Sequence, residues 1–114
     1  MRLCRLDEVP DGGARGFDLL DAGRDTVFVV RRGRTLRAYE NRCPHLDTPL
    51  PWRKDAYLDA AGDHIVCAAH GALFEIESGR CVLGPCLGEA LTPVPTRIDA
   101  DHGVHVDAPG AVLP

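Results

Sequence analysis

Apolar and polar residues alternate along this chain in short runs with a period near two, and clusters of Gly, Pro and Asp cut the runs apart. Thr35-Leu36-Arg37-Ala38-Tyr39 alternates polar with apolar, and Thr26-Val27-Phe28-Val29-Val30 before it is rich in β-branched and aromatic residues. The two predict a hairpin turning at Arg32-Gly33-Arg34. Residues 3–6 predict a first strand, closed by the dense turn signal Pro10-Asp11-Gly12-Gly13, with Gly16-Phe17-Asp18-Leu19 following. Asp63-His64-Ile65-Val66 predicts another short strand. Leu73-Phe74-Glu75-Ile76 and Cys81-Val82-Leu83 predict a second hairpin about Glu77-Ser78-Gly79-Arg80. Residues 92–98 and 103–106 predict a closing pair about Asp99-Ala100-Asp101-His102. Thr48-Pro49-Leu50-Pro51-Trp52 predicts irregular structure, because two prolines two apart remove backbone donors and fix φ. Residues 58–62 predict a surface crossing and 109–114 a frayed tail. Nothing repeats with a helical period, so the expected fold class is all-β, a sandwich or small barrel.

Length and charge narrow this. The 114 residues suffice for one domain, 1–114, with a real core and little room for a second. A hydrophobic fraction of 45% excludes a disordered chain. No apolar run approaches the roughly 20 residues that span a bilayer, and Met1-Arg2-Leu3-Cys4-Arg5-Leu6-Asp7-Glu8 lacks a signal peptide's apolar stretch. The expectation is a cytoplasmic protein with no membrane partner. A net charge of −4 argues against nucleic acid, which wants a basic face, and permits an electrostatically steered protein partner.

The chemistry lies in two segments, Cys43-Pro44-His45-Leu46-Asp47 and Cys67-Ala68-Ala69-His70-Gly71. Each supplies one thiolate and one imidazole, a donor set that suits zinc or iron-sulfur iron and disfavours magnesium or calcium. A zinc finger of the usual kind groups two Cys and then two His. Here each segment mixes the types. One Cys and one His from each of two equivalent loops fit a two-iron two-sulfur cluster, with Cys43 and Cys67 on one iron and His45 and His70 on the other.

In these residues the chain resembles the Rieske family. The likeness extends to Gly71 after the second His, to Gly79 in the following hairpin, and to Gly84-Pro85, where these proteins carry a proline-containing loop over the cluster. It implies a Rieske fold, with a cluster-binding part at about residues 41–88 set on a larger β base. It also implies one [2Fe-2S] cluster ligated by Cys43, His45, Cys67 and His70. With two thiolates and two neutral imidazoles the oxidised cluster carries no net charge, whereas four thiolates would leave a dianion; an added electron therefore costs less, and the potential rises to about −150 to +300 mV. The electron is expected on the His-ligated iron, with the imidazole edges as its exit.

The remaining candidates have ordinary readings. Cys4, Cys81 and Cys86 are expected as free thiols in or near the core, with a Cys81–Cys86 bridge the alternative that spacing allows. His64, His102 and His105 are expected at the surface in or beside turns. Trp52 is expected as a lid packed under the first loop, and Arg31, Arg32, Arg34 and Arg37 as a solvated hairpin face. Leu46, Pro49, Leu50, Pro85 and Leu87 are expected as an apolar collar around the histidines, suited to a transient partner.

The resemblance implies an electron carrier and not an enzyme by itself: a Rieske-type ferredoxin between an NAD(P)H-dependent flavoprotein reductase and a terminal oxygenase. The alternatives are the small Rieske subunit of a reductase such as an assimilatory nitrite reductase and, from another class, a zinc-stapled interaction module. Respiratory Rieske proteins resemble one another in an extra Cys in each ligand loop and a Ser just after the second His-Gly. This chain has Thr48 and Ala69 near the former places and Ala72 at the latter. The expected midpoint potential is therefore at the low end of the range, near about −150 mV. Protein-film voltammetry checks this, and a midpoint above about +100 mV would contradict it.

Overall fold

In a computed structural model of the chain, described for residues 2–44 and 48–107, ten strands form three antiparallel sheets. In chain order they are β1 (Arg2–Arg5), β2 (Ala14–Phe17), β3 (Val27–Arg32), β4 (Thr35–Glu40), β5 (His64–Cys67), β6 (Ala72–Glu75), β7 (Cys81–Leu83), β8 (Pro93–Val94), β9 (Thr96–Ile98) and β10 (Gly103–Val106). The sheets run β1-β10-β9, β2-β3-β4-β8 and β5-β6-β7. The all-β expectation holds, and the form is neither a simple sandwich nor a closed barrel but three open sheets. Among the described residues no helix is long and apolar enough to cross a membrane.

The run Val27-Phe28-Val29-Val30 shows why three sheets are needed. Side chains of a strand alternate between faces, and here both faces are buried. Val27 and Val29 enter one core with Cys4, Leu6, Val9, Leu36, Ala38, Val94, Val104 and Val106. Phe28 and Val30 enter the other with Tyr39, Cys43, Tyr57, Ile65, Cys67, Phe74 and Cys86. The four-stranded sheet thus lies between the two smaller ones. A fully buried Val or Phe contributes about 1.5–3 kcal/mol, so β3 anchors both cores at once.

The predicted hairpins form, β3 with β4 and β6 with β7. Residues 92–98 do not make one strand. Val94 and Pro93 pair with Ala38 and Tyr39 of β4, whereas 96–98 pair with β10 in the other sheet. Pro95 falls at the switch, where its missing N–H would leave a gap in a continuous ladder. The arginines also do more than coat a hairpin. The Arg31 guanidinium donates to the carbonyls of Val9 at 3.0 Å and Gly33 at 2.7 Å, Arg32 to Gly62 O at 3.2 Å, and Arg37 to Glu77 O at 3.3 Å.

Of the spare histidines, His102 is exposed in the β9–β10 turn with φ +62. His105 is not a turn residue: it lies half-buried in β10, its Nε2 2.7 Å from Asp99 Oδ2. His64 lies half-buried in β5, with Nδ1 3.3 Å from Asp59 Oδ2. Asp99 also accepts the amides of Gly103 and Asp101, and these bonds, that of His105 foremost, lower its carboxyl to about 2.

Two contacts bind the sheet β5-β6-β7 to its neighbour. Tyr39 of β4 donates its hydroxyl to Ile76 O at 2.6 Å, and Phe28 stacks on Tyr57 with ring centroids 4.1 Å apart and planes 9° from parallel. Gly79 makes room for the Tyr39 ring: it sits at φ +75, and a Cβ there would lie 2.7 Å from Tyr39 Cε1. Tyr39→Phe should cost about 1 kcal/mol for the lost hydrogen bond, and Gly79→Ala more, since it combines positive φ with a clash. Denaturant unfolding followed by circular dichroism checks the order. A depressed carboxylate stabilises above its unfolded value and loses that contribution as the folded value is approached. The β9–β10 turn should therefore weaken as pH falls from about 4 toward 2, with the Asp99 carboxyl shift in NMR reporting the titration.

Candidate metal centre

Cys67 is the last residue of β5, paired with Ala72 of β6, and so is delivered by the tip of a hairpin. Cys43 lies three residues beyond the end of β4, on a loop closed by the bond from Cys43 N–H to Thr48 O at 2.8 Å. On the second loop, Gly71 N–H returns to Cys67 O at 2.8 Å, with Gly71 at φ +70, a conformation glycine takes without strain.

One side chain fixes the first loop. Asn41 is buried; its Nδ2 donates to Asp25 O and its Oδ1 accepts the Leu50 amide, both at 2.9 Å. Leu50 O in turn accepts the Ala68 amide at 2.8 Å. Leu50 therefore joins the two cysteine loops through its own backbone, and the loops do not depend on a metal alone to stay together.

Both thiols are buried in the same core. Burial raises Cys67, the Cys43 sulfur within hydrogen-bonding reach adds to that, and the backbone amides of Ala69 and His70 act the other way. Cys86 lies against the pair, its Sγ 3.8 Å from Cys43 Sγ. Burial, followed by contact with Cys43, pushes its thiol up to about 12. Cys4, Cys81 and Cys86 are free and buried, as expected, and the alternative Cys81–Cys86 bridge is not formed.

His70 is exposed at the end of the second loop. His45 lies outside the described residues, as does Leu46 of the expected collar. Among the described residues no three Cys, His, Asp or Glu side chains converge to hold one metal ion; the structure brings together the thiol pair. Pro49, Pro85 and Leu87 are exposed as expected for a collar, whereas Leu50 is fully buried. Trp52 is not a lid. It is 71% exposed, its ring met by Arg53 at 4.7 Å. The aromatic ring buried in the core with Cys43 and Cys67 is that of Tyr57, stacked on Phe28, which nothing in its local sequence marks out.

The residues fit a cluster with sulfur and iron. Two amide N–H groups directed at the Cys67 sulfur favour the thiolate that a metal requires. Among the described residues the buried Thr48 hydroxyl on the first loop has no hydrogen-bond partner, a condition that costs about 1–3 kcal/mol unless an acceptor is supplied. The proline loop fits closely over the second loop: Gly84, at φ +103, would place a Cβ 2.9 Å from Ala72 Cα.

Open antiparallel sheets, two cysteine thiols buried in one core and an exposed imidazole at the end of the second loop make this an all-β protein with soft metal donors. Residues 1–97 match the family model of the Rieske [2Fe-2S] domain. The chain belongs to that family, and its cofactor is one [2Fe-2S] cluster, which retires the zinc alternative. The ferredoxin component of the alkene monooxygenase system of Xanthobacter autotrophicus (strain ATCC BAA-1158 / Py2) is 30% identical over 78 residues, 68% of this chain and 58% of that protein. The match thus spans little more than half of that relative. A Sphingomonas yanoikuyae B1 ferredoxin is 28% identical with a TM-score of 0.73, covering 96% of this chain and 98% of that one. A chain in the complex of reduced oxygenase and oxidized ferredoxin in carbazole 1,9a-dioxygenase is 25% identical with a TM-score of 0.72, covering 93% of this chain and 90% of that one.

Sequence reading missed Asn41 and the placement of Cys86. Asn41, a short amide directly between a strand and the first Cys, carried a recognisable signal, because Asn so placed often hydrogen-bonds nearby backbone. Cys86 carried none, since its neighbour Cys43 is remote in sequence. Asn41→Ala should strand the Leu50 amide and the Asp25 carbonyl, costing about 1–3 kcal/mol. Iron and sulfide content per chain should fall along with thermal stability.

Proposed function

We propose that the chain is a single-domain electron carrier, residues 1–114, in which Cys43 and Cys67 hold one iron and His45 and His70 the other, within a cluster-binding part at about 41–88. The observation that carries this reading is the meeting of Cys43 and Cys67 in one buried site while His70 stands exposed. The bound cluster would take up and release one electron at a time. The chain's own residues set the conditions. The core around Phe28, Tyr57 and Phe74 excludes water from the sulfur side. Pro49, Trp52, Pro85 and Leu87 are exposed and offer apolar contacts for a briefly bound partner.

The partners in this reading are an NAD(P)H-dependent flavoprotein reductase as donor and a terminal oxygenase as acceptor. The oxygenase is supported by the names of the relatives, a monooxygenase ferredoxin component and a ferredoxin in complex with a dioxygenase. None of the relatives compared above is named as a nitrite reductase subunit. In this reading the chain carries electrons and is not an enzyme by itself, a role that the relatives' names as ferredoxins support. A cytoplasmic location accords with the unbridged thiols of Cys4, Cys81 and Cys86, since cytosolic thiols stay reduced.

Cys43→Ser and His70→Ala should each abolish visible absorption and the rhombic electron paramagnetic resonance signal of the reduced protein, whereas His102→Ala should leave both unchanged. A colourless wild-type chain with stoichiometric zinc after anaerobic purification would overturn the reading. Leu87→Asp, at a side chain 64% exposed, should preserve the spectrum and slow electron delivery to the oxygenase in stopped-flow mixing. An unchanged rate would remove the apolar contact.

A further inference from the structure

We infer that Cys86 is a potential-tuning residue: its thiol donates a hydrogen bond to the sulfur of Cys43 and so favours the reduced state of the cluster. This rests on the assignment of Cys43 as an iron ligand. The supporting geometry is independent of it. Cys86 Sγ lies 3.8 Å from Cys43 Sγ, within sulfur hydrogen-bonding distance, and both residues are buried in one core.

The loop that carries Cys86 has little freedom to place it elsewhere. Gly84 fits against Ala72 so closely that a Cβ would meet Ala72 Cα at 2.9 Å, which seats the start of the loop on the first residue of β6, just after the second cysteine loop. Leu87 N–H donates to Gly84 O at 3.3 Å, and Glu89 N–H to Cys86 O at 2.8 Å. Cys81 N–H then donates to Glu89 O at 2.9 Å and ties the loop to β7. Two sulfurs adjoin Cys86, those of Cys43 and Cys81. The Cys81 thiol is occupied as a donor to Leu83 O at 3.2 Å. Cys43, as an iron ligand, is a thiolate and therefore the stronger acceptor.

The direction of the effect follows from charge. Reduction adds negative charge to a centre whose sulfurs carry much of it, and a donor to one of those sulfurs stabilises the reduced form more than the oxidised form. The buried, water-poor surroundings strengthen the interaction. The bond changes no oxidation state in Cys86, and the proton stays on its sulfur throughout.

The test compares wild type, Cys86→Ala and Cys86→Ser as cluster-loaded proteins. Cys86→Ala should keep the full complement of iron and the rhombic signal and shift the midpoint potential downward in protein-film voltammetry. Cys86→Ser, which keeps a donor at nearly the same place, should return the potential to the wild-type value or above it. Resonance Raman spectra of protein reconstituted in D2O should show a deuterium shift in the iron–cysteine stretching modes that Cys86→Ala reduces. An unmoved potential in Cys86→Ala beside a normal wild-type signal overturns this proposal and leaves the ligand assignment standing. Loss of the cluster in Cys86→Ala, or failure of Cys86→Ser to restore the potential, also overturns it. A wild-type chain without the rhombic signal overturns both.

Discussion

Buried backbone polar groups must find partners, and on either side of the first cysteine loop the buried residues Asn41 and Leu50 supply them. Neither the prolines nor the thiols of this region can do so. The Asn41 amide reaches Asp25 O on one side and the Leu50 amide on the other, and Leu50 O takes the Ala68 amide of the second cysteine loop. Asn41 and Leu50 are buried, so breaking their bonds would orphan polar groups away from water at about 1–3 kcal/mol each. The distance between the two proposed cysteine ligands therefore follows from backbone hydrogen bonding.

The base below it is the four-stranded sheet buried on both faces. β3 sends alternate side chains into two cores, and only one of these holds Cys43, Cys67, Cys81 and Cys86. The other contains Cys4 among valines and leucines and belongs to the sheet that carries His105. The structure thus separates a core with four cysteines from one that holds Cys4 alone, with Tyr39 and the Phe28–Tyr57 stack joining the first to the sheet β5-β6-β7. The apolar side chains of Pro49, Trp52, Pro85 and Leu87 remain in water, as His70 does.

Much of this was legible in the sequence. Period-two patterning located the hairpins β3–β4 and β6–β7, and the order of Cys and His within each loop distinguished the site from a zinc finger. The expectations that failed share a cause. Trp52 was expected to be buried because large aromatic residues usually are, but its loop lies over a core already filled by Tyr57 and Leu50. Residues 92–98 read as one strand because local pattern does not reveal which sheet a strand joins, and Pro95 divides it between two. The arginines of the β3–β4 hairpin read as solvated because their carbonyl acceptors at Val9, Gly62 and Glu77 come from other parts of the chain.

What the sequence determined by itself was local: strand period, turn positions, and two loops each bearing one soft and one borderline donor. These follow from side-chain chemistry and from neighbours a few residues apart. The tertiary structure alone decided which distant groups meet: Asn41 with Leu50, Leu50 with Ala68, Cys86 with Cys43. The physical reason is that such contacts depend on closing long loops around a packed core. The spacing of residues along the chain carries no record of which buried donor will find which acceptor.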